Sequence, residues 1–592
     1  MSRPREVRRW VRSALSNQGP PTVFLVLRRM RLPLILLIGI FAVSVLGLTL
    51  IPGQDPAGRP VRMGIFDAFY FMSYTATTIG YGEIPYPFTG AQRLWVTATI
   101  YLTVIGWAYA IGSLLTLLQD RAFRQVLAQQ RFTRTVARMR EPFLLIAGYG
   151  QTGQLLGRSF DLLGRRFVAI DPNSERVDAL DIDPYHADMP GLVGDARNPQ
   201  ILESAGLGHP YCEGVVAVTD DDEVNLAVTM AAALLRPELP VLARTVAPSI
   251  EHRMAAFGSP RVVNPFDRYG DHLRIAMHAP ATYQLMSWLE SGPGADLPER
   301  GSPPREGRWV VCGYGRFGRK LADDLLAAGL EVTAIDPVAP DPDHADGPHR
   351  PVIMVGDASE PAVMARADLA DAVGFVAGTD NDTTNLSLVA AARLINPGLF
   401  VASRQNRPEA APLFAAMDID SLLVPAELTA REIYAQVSTP LLWRFLRELP
   451  GLGDAWAEEM IARLHRHCGS RLQALWTTTM DRREAPAIVP WLDSGPESLG
   501  ELLRDREDRD RRLDIVPLLI QRGDEATLGP ADDFVLAPGD RILFAGEPRD
   551  RRALLEALHI EYVSEYVLTG RRVPASAVWR LLTRTQLSNP RR

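Results

Sequence analysis

Lysine is all but missing from this chain: of 63 basic residues only Lys320 is a lysine, and arginine supplies the rest. A net positive surface is also lacking, since the formal charge is −7 at pH 7. That argues against a nucleic-acid partner, whose phosphates are held by clustered cations. Cysteine is scarce. Cys212, Cys312 and Cys468 are scattered without CxxC spacing, which excludes a disulfide framework and fits a reduced compartment. His465-Arg466-His467-Cys468 has no further ligands at metal spacing and reads as helix surface. Charge itself is absent from two runs, Leu32–Ile51 and Leu94–Leu118. Between Gly112 and Pro142 there is neither glycine nor proline, so a helix entering that stretch can continue as a rod.

The uncharged runs are long enough to cross a hydrocarbon core of about 30 Å as helices. Pro33 is expected in the first turn of the first, where its missing N–H costs nothing. Arginine is distributed unevenly around them. Arg3, Arg5, Arg8, Arg9, Arg12, Arg28, Arg29 and Arg31 precede the first run, and Arg121, Arg124, Arg131, Arg134, Arg138 and Arg140 follow the second. The intervening loop holds only Arg59, Arg62 and, at its far end, Arg93. The positive-inside rule therefore places both termini in the cytoplasm. A cleaved leader is the rival reading of the basic start, but its apolar run is too long and begins too late. No arginine-rich span precedes the pair, so no voltage sensor is expected.

Between the runs, Phe66–Thr77 reads as a short aromatic helix, and Thr77-Thr78-Ile79-Gly80-Tyr81-Gly82-Glu83 follows it. A TxGYG loop can aim backbone carbonyls inward to replace the water shell of a potassium ion. Gly80 and Gly82 permit the alternating backbone this requires, and Thr78 adds a hydroxyl at the inner end. The candidate selectivity filter is Thr77, Thr78, Ile79, Gly80, Tyr81 and Gly82. Gly106 and Gly112 of the second run are candidate gating hinges, Gly106 preferred.

Past residue 141 the chain is duplicated. An apolar strand enters GYGQTG at Gly148, Gly150, Gln151, Thr152 and Gly153, and another enters GYGRFG at Gly313, Gly315, Arg316, Phe317 and Gly318. Further landmarks recur in order: Asp171 and Asp336, Asp195 and Asp357, Asp220 and Asp380, Asn225 and Asn385, Arg244 and Arg404, each pair 160 to 165 residues apart. A constant offset over so many landmarks is an internal repeat. Each glycine motif follows a strand, opens a helix and is trailed by an acid about 20 residues on, the pattern of a dinucleotide site. The first glycine makes the turn, the second admits a pyrophosphate to the helix N-terminus, and the third packs helix on strand. Asp171 and Asp336 are expected to accept from ribose hydroxyls and to disfavour NADP, while Asp195 and Asp357 lie near an adenine. Arg316 can reach a pyrophosphate, which Gln151 cannot neutralise. NAD(H) is the first-choice ligand, with ADP, ATP or AMP as alternatives. Asp220, Asp222 and Glu223 form an acidic cluster with calcium-type ligands, against a reading as loop capping.

On these motifs the chain resembles prokaryotic potassium channels with two spanning helices and tandem RCK (TrkA-type) domains, over nearly its whole length. The resemblance implies a membrane α-helical two-span pore module with a re-entrant loop, then two α/β Rossmann-like domains and a small C-terminal α+β lobe. The expected order is a basic N-terminus (1–31), pore module (32–118), helical linker (119–141), first RCK domain (142–290), linker (291–307), second RCK domain with crossover (308–460), and a TrkA-C-like lobe and tail (461–592). It implies a homotetramer with an eight-RCK gating ring in a prokaryotic inner membrane, and potassium ions in the filter. Glu83 stands where many such channels have Asp, and Ile79 where many have Val. Pro280 and Pro440 suggest matching helix–turn–helix crossovers, and Arg504–Arg512 reads as a solvated loop. A membrane-anchored NAD-dependent oxidoreductase is the other class. It would need an acid or base facing a nicotinamide, and no histidine or lysine recurs near either motif. A Trk-type transporter subunit would need four pore repeats, and one loop is present. A weakly selective cation channel stays open beside the potassium-selective reading.

Overall fold

The computed structural model describes residues 22–55, 58–119, 121–258, 260–338 and 350–572; the side chains of 22–29 and 121–127 lie outside what is described, as do the expected roles of the arginines there and in the N-terminus. The chain divides into two units: a mainly helical one that ends at Glu141 and also takes in Pro190–Leu192 and Gln200–Cys212, and an α/β one of the remaining residues.

In the helical unit, α1 (Thr22–Leu50) and α3 (Gly90–Gln119) are the long helices. Only 17% and 22% of the residues in their apolar windows are buried. The core helix of a soluble protein would hide such windows, whereas lipid leaves them uncovered by protein. Helix α1 begins ten residues before Leu32, so Pro33 is inside it rather than in its first turn. Helix α4 (Arg121–Arg138) follows Asp120, a residue outside those described. Between the long helices, β1 (Pro52–Gln54) and β2 (Pro60–Arg62) pair antiparallel and lead into α2 (Ile65–Ala76). Helix α2 is wedged by its own aromatics: Phe71 and Tyr74 are buried with Met72, Leu48 and Phe88, and Phe69 meets Phe41 of α1 edge-on at 5.5 Å.

The α/β unit contains two six-stranded sheets, parallel throughout their recorded pairings, of the same topology. The first runs β5 (Gly191–Val193), β4 (Arg166–Asp171), β3 (Phe143–Ala147), β6 (Cys212–Ala217), β7 (Val241–Arg244), β8 (Arg261–Val263). The second runs β11 (Val352–Val355), β10 (Glu331–Asp336), β9 (Arg308–Cys312), β12 (Gly374–Ala377), β13 (Phe400–Arg404), β14 (Ser421–Leu423). Every residue of β3 and β12 is buried, as continuous apolar strands covered on both faces must be.

The helices after the sheets are exchanged. Helix α7 (Pro265–His278) leaves the first sheet and packs Phe266, Tyr269, Leu273 and Met277 among Trp309, Phe317 and Leu321 of the second repeat. Helix α11 (Pro425–Ser438) returns Ala430 and Ile433 to the core of the first repeat, beside Leu156 and Phe160. Each continues through Pro280 or Pro440 into α8 (Pro280–Glu290) or α12 (Pro440–Glu448), the matching crossovers expected from sequence. The hinge residues Ala279 and Thr439 share φ −142° with ψ 70° and 74°. The repeat is therefore a pseudo-dimer within one chain.

Helices α8 and α12 meet α13 (Asp454–Cys468) and a four-stranded sheet ordered β15 (Ala474–Thr479), β18 (Arg541–Gly546), β16 (Ile515–Arg522), β17 (Glu525–Leu528). This α+β lobe starts at Asp454, seven residues before the expected boundary. The Pro/Gly segment 291–307 is not a free linker: Gly294 and Leu297 donate backbone N–H bonds to Leu472 and Ser470, and Leu472 donates to Ala295. Nor is Arg504–Arg512 a solvated loop. Arg511 bridges the buried Asp505 and Asp550, Arg512 grips Asp532, and Arg509 donates to the carbonyls of Val567 and Leu568 at the end of the last described helix. Alternating charges read as solvent-facing, but their acidic partners are supplied from distant segments.

Candidate functional site

The segment after α2 has an alternating backbone. Thr78, Gly80 and Gly82 have φ of +61°, +69° and +99°, and Ile79 and Tyr81 are not among the positive-φ residues. Alternating left- and right-handed residues turn successive carbonyls to the same side of the strand. Glycine relieves the strain at two of these positions, and Thr78 bears it as a side-chain-bearing residue. Tyr74 of α2 anchors the segment, donating from Oη to the Gly82 carbonyl at 2.5 Å, and its ring meets Tyr81 edge-on. Glu83 accepts a bidentate pair from Arg93, at 2.8 and 3.0 Å, and the backbone N–H of Phe88. Arg93, which entered the sequence reading only as a loop charge, is thus the partner of the unusual Glu83. The longer Glu side chain reaches α3, which an Asp in its place would do less readily.

The two glycines of α3 differ. A Cβ on Gly106 would lie 3.0 Å from Ile40 and 3.3 Å from Leu37 of α1, whereas Gly112 has nothing within 4 Å. Gly106 is thus a packing contact between helices, whereas Gly112 faces open space.

In the α/β unit the strand ends converge as the motifs require. Gly148 and Gly313 have φ of +98° and +89°, the tight turns out of β3 and β9. A Cβ on Gly153 would fall 2.2 Å from the Gly148 carbonyl oxygen, and on Gly318 1.8 Å from that of Gly313, so only glycine lets the helix approach its own turn. Gly150 and Gly315 are ordinary in backbone, with φ −76° and −75°, and face open space apart from Arg176 over Gly150. Helices α5 (Gln151–Leu162) and α9 (Arg316–Ala327) begin there with no side-chain cap. Their free N–H groups make an anion site.

Asp171 Oδ2 accepts from the Tyr149 N–H at 2.8 Å and Oδ1 from Asn173 at 2.9 Å; Asp336 repeats this with Tyr314 and Val338. Both acids therefore hold the glycine turn in place, and their remaining lone pairs are what a ribose can use. Asn225 and Asn385, fully buried, each bind the preceding threonine (Thr219, Thr379) through Oδ1 and reach across to the Arg244 or Arg404 carbonyl through Nδ2. They clamp adjacent strand ends. Asp195 is held by Arg197 through a bidentate pair and sits below the usual carboxylate range for that reason. Asp357 accepts from Ser359.

A cleft of about 320 Å³ lies over the first turn, lined by Gly148, Gly150, Gln151, Thr152, Asp171, Arg176, Asp195, Arg197, Asp220 and neighbouring residues. Arg316 is found beside the other repeat: its Nη1 is 3.6 Å from Asp222, and nothing lies within 4 Å of a Cβ placed on Gly315. Arg244 and Arg404 are largely enclosed, and burial pushes both downward; Arg244 donates to the Thr219 carbonyl and lies 3.7 Å from Asp220. The Asp380 carboxylate faces Arg404 electrostatically.

The expected calcium cluster does not form. Asp220 is next to Arg244, Asp222 next to Arg316 and the Val246 N–H, and Glu223 pairs with Arg253 at 2.6 Å. Asp222 and Glu223 open a helix, α6 (Asp222–Leu235), two residues after Asp220, and the three carboxylates fan out to different arginines. Among the described residues no group of three His, Cys, Asp or Glu side chains could hold a metal.

Residues 34–120 match the Ion channel family, and residues 144–265 and again 309–425 match the TrkA-N domain. The chain is 28% identical over 202 residues to Potassium channel protein 1 of Methanocaldococcus jannaschii, covering 34% of this chain and 59% of that protein. It is 29% identical over 304 residues to the glutathione-regulated potassium-efflux system protein KefC of Klebsiella pneumoniae, covering 50% of this chain and 42% of that one. The chain thus spans about half the length of these curated relatives. Among solved structures, one described as the GsuK channel bound to NAD aligns over 90% of this chain and 99% of its own, at 15% identity and a TM-score of 0.43.

Proposed function

We propose that this chain, an Ion channel module joined to two TrkA-N domains in the manner of prokaryotic potassium channels with RCK domains, is one subunit of a potassium-selective channel gated by nucleotide. The observation that carries the reading is the alternation at Thr78, Gly80 and Gly82, held by Tyr74 between two membrane-length helices. One chain supplies one wall: Ile79 and Tyr81 are exposed, as expected where further copies complete a ring of carbonyls. Four copies would also supply eight TrkA-N domains to a gating ring. The arginine distribution supports both termini lying in the cytoplasm of an inner-membrane protein, and on this reading the lobe from Asp454 is a TrkA-C-like one.

Gating follows from the exchanged helices. Ligand in a cleft contacts the turn before α5 or α9, and those helices are covered by α11 and α7 of the opposite repeat. A change at one turn is thereby felt at the crossover hinges, Ala279 and Thr439. NAD(H) or an adenine nucleotide can shift the gate only by binding open and closed arrangements unequally. A tenfold preference per site is about 1.4 kcal/mol, and equivalent sites multiply it. Gly112 is the point where α3 would bend.

The test is purified full-length protein in planar bilayers under a potassium–sodium gradient, with NAD(H), ADP, ATP or AMP added on the side of the TrkA-N domains. The expected reversal potential lies near the potassium value, and open probability changes with at least one nucleotide. A reversal potential near zero would favour a weakly selective cation pore. Currents indifferent to every nucleotide would remove the gating half of the reading.

A further inference from the structure

The two clefts differ in where their positive charge comes from. In the second, Arg316 belongs to the glycine motif itself. In the first that position is Gln151, which leaves a helix N-terminus without a cation from its own motif. The structure supplies one from elsewhere. Arg176, five residues past Asp171, extends back over the turn, with Nη1 3.4 Å from where a Cβ on Gly150 would be. The same Nη1 is 3.5 Å from Asp171 Oδ2, a loose single contact, and the side chain is 45% exposed within the cleft. Asp171 already has the Tyr149 and Asn173 N–H donors, so it does not depend on the arginine. Arg197, the other cation lining this cleft, is committed to Asp195 by a bidentate pair. By sequence the position five residues past Asp336 is Asp341, an acid.

We propose that Arg176 is the phosphate-reading residue of the first cleft, selecting nucleoside 5′-diphosphates over bare nucleosides by leaving Asp171 for the phosphate seated over Gly150. The proposal rests on the nucleotide reading of the cleft given above. In the structure the guanidinium lies against Asp171. With nucleotide bound, ribose hydroxyls take the free lone pairs of Asp171 and the guanidinium swings a short distance onto the phosphate. Binding and release of Arg176 from Asp171 are then one event, and the first cleft responds to the charge of the 5′ group as well as to the adenosine.

Hydrogen–deuterium exchange of the full-length protein in detergent reads the two clefts separately, through peptides containing Gly148–Thr152 and Gly313–Phe317. ADP and adenosine are titrated against the native protein and Arg176→Gln. In the native protein, ADP should protect the first peptide at a concentration about tenfold or more below adenosine, the size of one charge-assisted contact. Arg176→Gln should bring the two within about twofold, by weakening ADP and leaving adenosine unchanged. An undiminished ADP preference in Arg176→Gln overturns the proposal. So does recovery of that preference on adding Asp171→Asn, because the loss would then come from an unneutralised Asp171 rather than from a missing phosphate contact. If neither compound protects the first peptide in the native protein, the nucleotide reading of the cleft itself fails, a result distinct from both.

Discussion

Replacing Arg268 by methionine should show how strongly a buried charge pair joins the two repeats. Arg268 on α7 donates to Glu432 on α11 through Nε at 2.9 Å and Nη2 at 2.7 Å. The Glu432 side chain is 6% exposed, Gln436 is its other side-chain donor among the described residues, and the guanidinium lies 4.7 Å over the Trp443 ring. Arg268→Met keeps most of the packing volume and strands the carboxylate. Breaking one partner of such a pair costs roughly 3–5 kcal/mol. The carboxylate can recover part of this by taking a proton, since burial already holds Glu432 above the usual range. The sign is definite. A folded-state pKa raised above the unfolded one contributes stability below the unfolded value and loses it as pH rises through the folded one. The variant should therefore lose more stability than the native protein as pH rises above the ordinary carboxylate range. Adding Glu432→Leu should restore more than half the loss, because an apolar pair of similar volume often replaces a buried ion pair at little cost. Urea unfolding followed by tryptophan fluorescence, with Trp443 as a neighbouring reporter, measures all three proteins. Equal destabilisation of single and double variants, or no dependence on pH, would refute the argument.

The neighbouring His272 and Glu290 form a second test. Burial pushes His272 down to about 4 and Glu290 up to about 7. The histidine costs stability as pH falls from its unfolded value towards 4, the glutamate as pH rises from its unfolded value towards 7, so the two slopes oppose between about pH 4.5 and 6.5. Glu290→Gln should then lose stability on acidification in that window and His272→Gln should gain it; flat urea midpoints in both would count against the assignment. Gly318→Ala should cost more than about 2 kcal/mol, because its Cβ meets a backbone oxygen that cannot move aside. Gly315→Ala should leave stability nearly intact and weaken nucleotide binding at the second cleft, read by calorimetry on the full-length protein. Tyr74→Phe removes the bond to the Gly82 carbonyl, worth about 1 kcal/mol. Shorter open bursts are expected in single-channel records, and bursts as long as native would show that the bond does not steady the segment.

Much of the site was legible beforehand because its residues are local. Gly148, Gly153 and Asp171 are read from one strand–turn–helix: Gly148 has the positive φ and Gly153 the close approach that spacing implies, and Asp171 lies beside the turn, bonded to its backbone. The same holds for Gly80 and Gly82. Residues whose partners are remote were not legible. Arg93 gives no sign in sequence that it grips Glu83, nor Arg176 that it returns over Gly150. The acidic run Asp220–Glu223 looked like a metal site because spacing along the chain cannot show which arginines arrive from β7, α9 and the segment before β8 to separate the carboxylates. Gly106 was preferred over Gly112 as hinge, since sequence cannot show that α1 packs against Gly106 and not against Gly112.

The sequence by itself determined two membrane-length helices, the loop between them and a duplicated α/β fold, because each depends on composition or on contacts within about 30 residues along the chain. Only the tertiary structure decided that α7 and α11 are exchanged between repeats, that the segment after α8 is pinned to the final lobe, and that Arg176 lies beside Gly150 while Arg316 meets Asp222 of the other repeat. The helix exchange turns on burying apolar faces against elements about 40 residues away for α7 and about 270 for α11. Burial is non-directional, and many surfaces in one chain offer it. Which surface is chosen is settled when the whole core is packed.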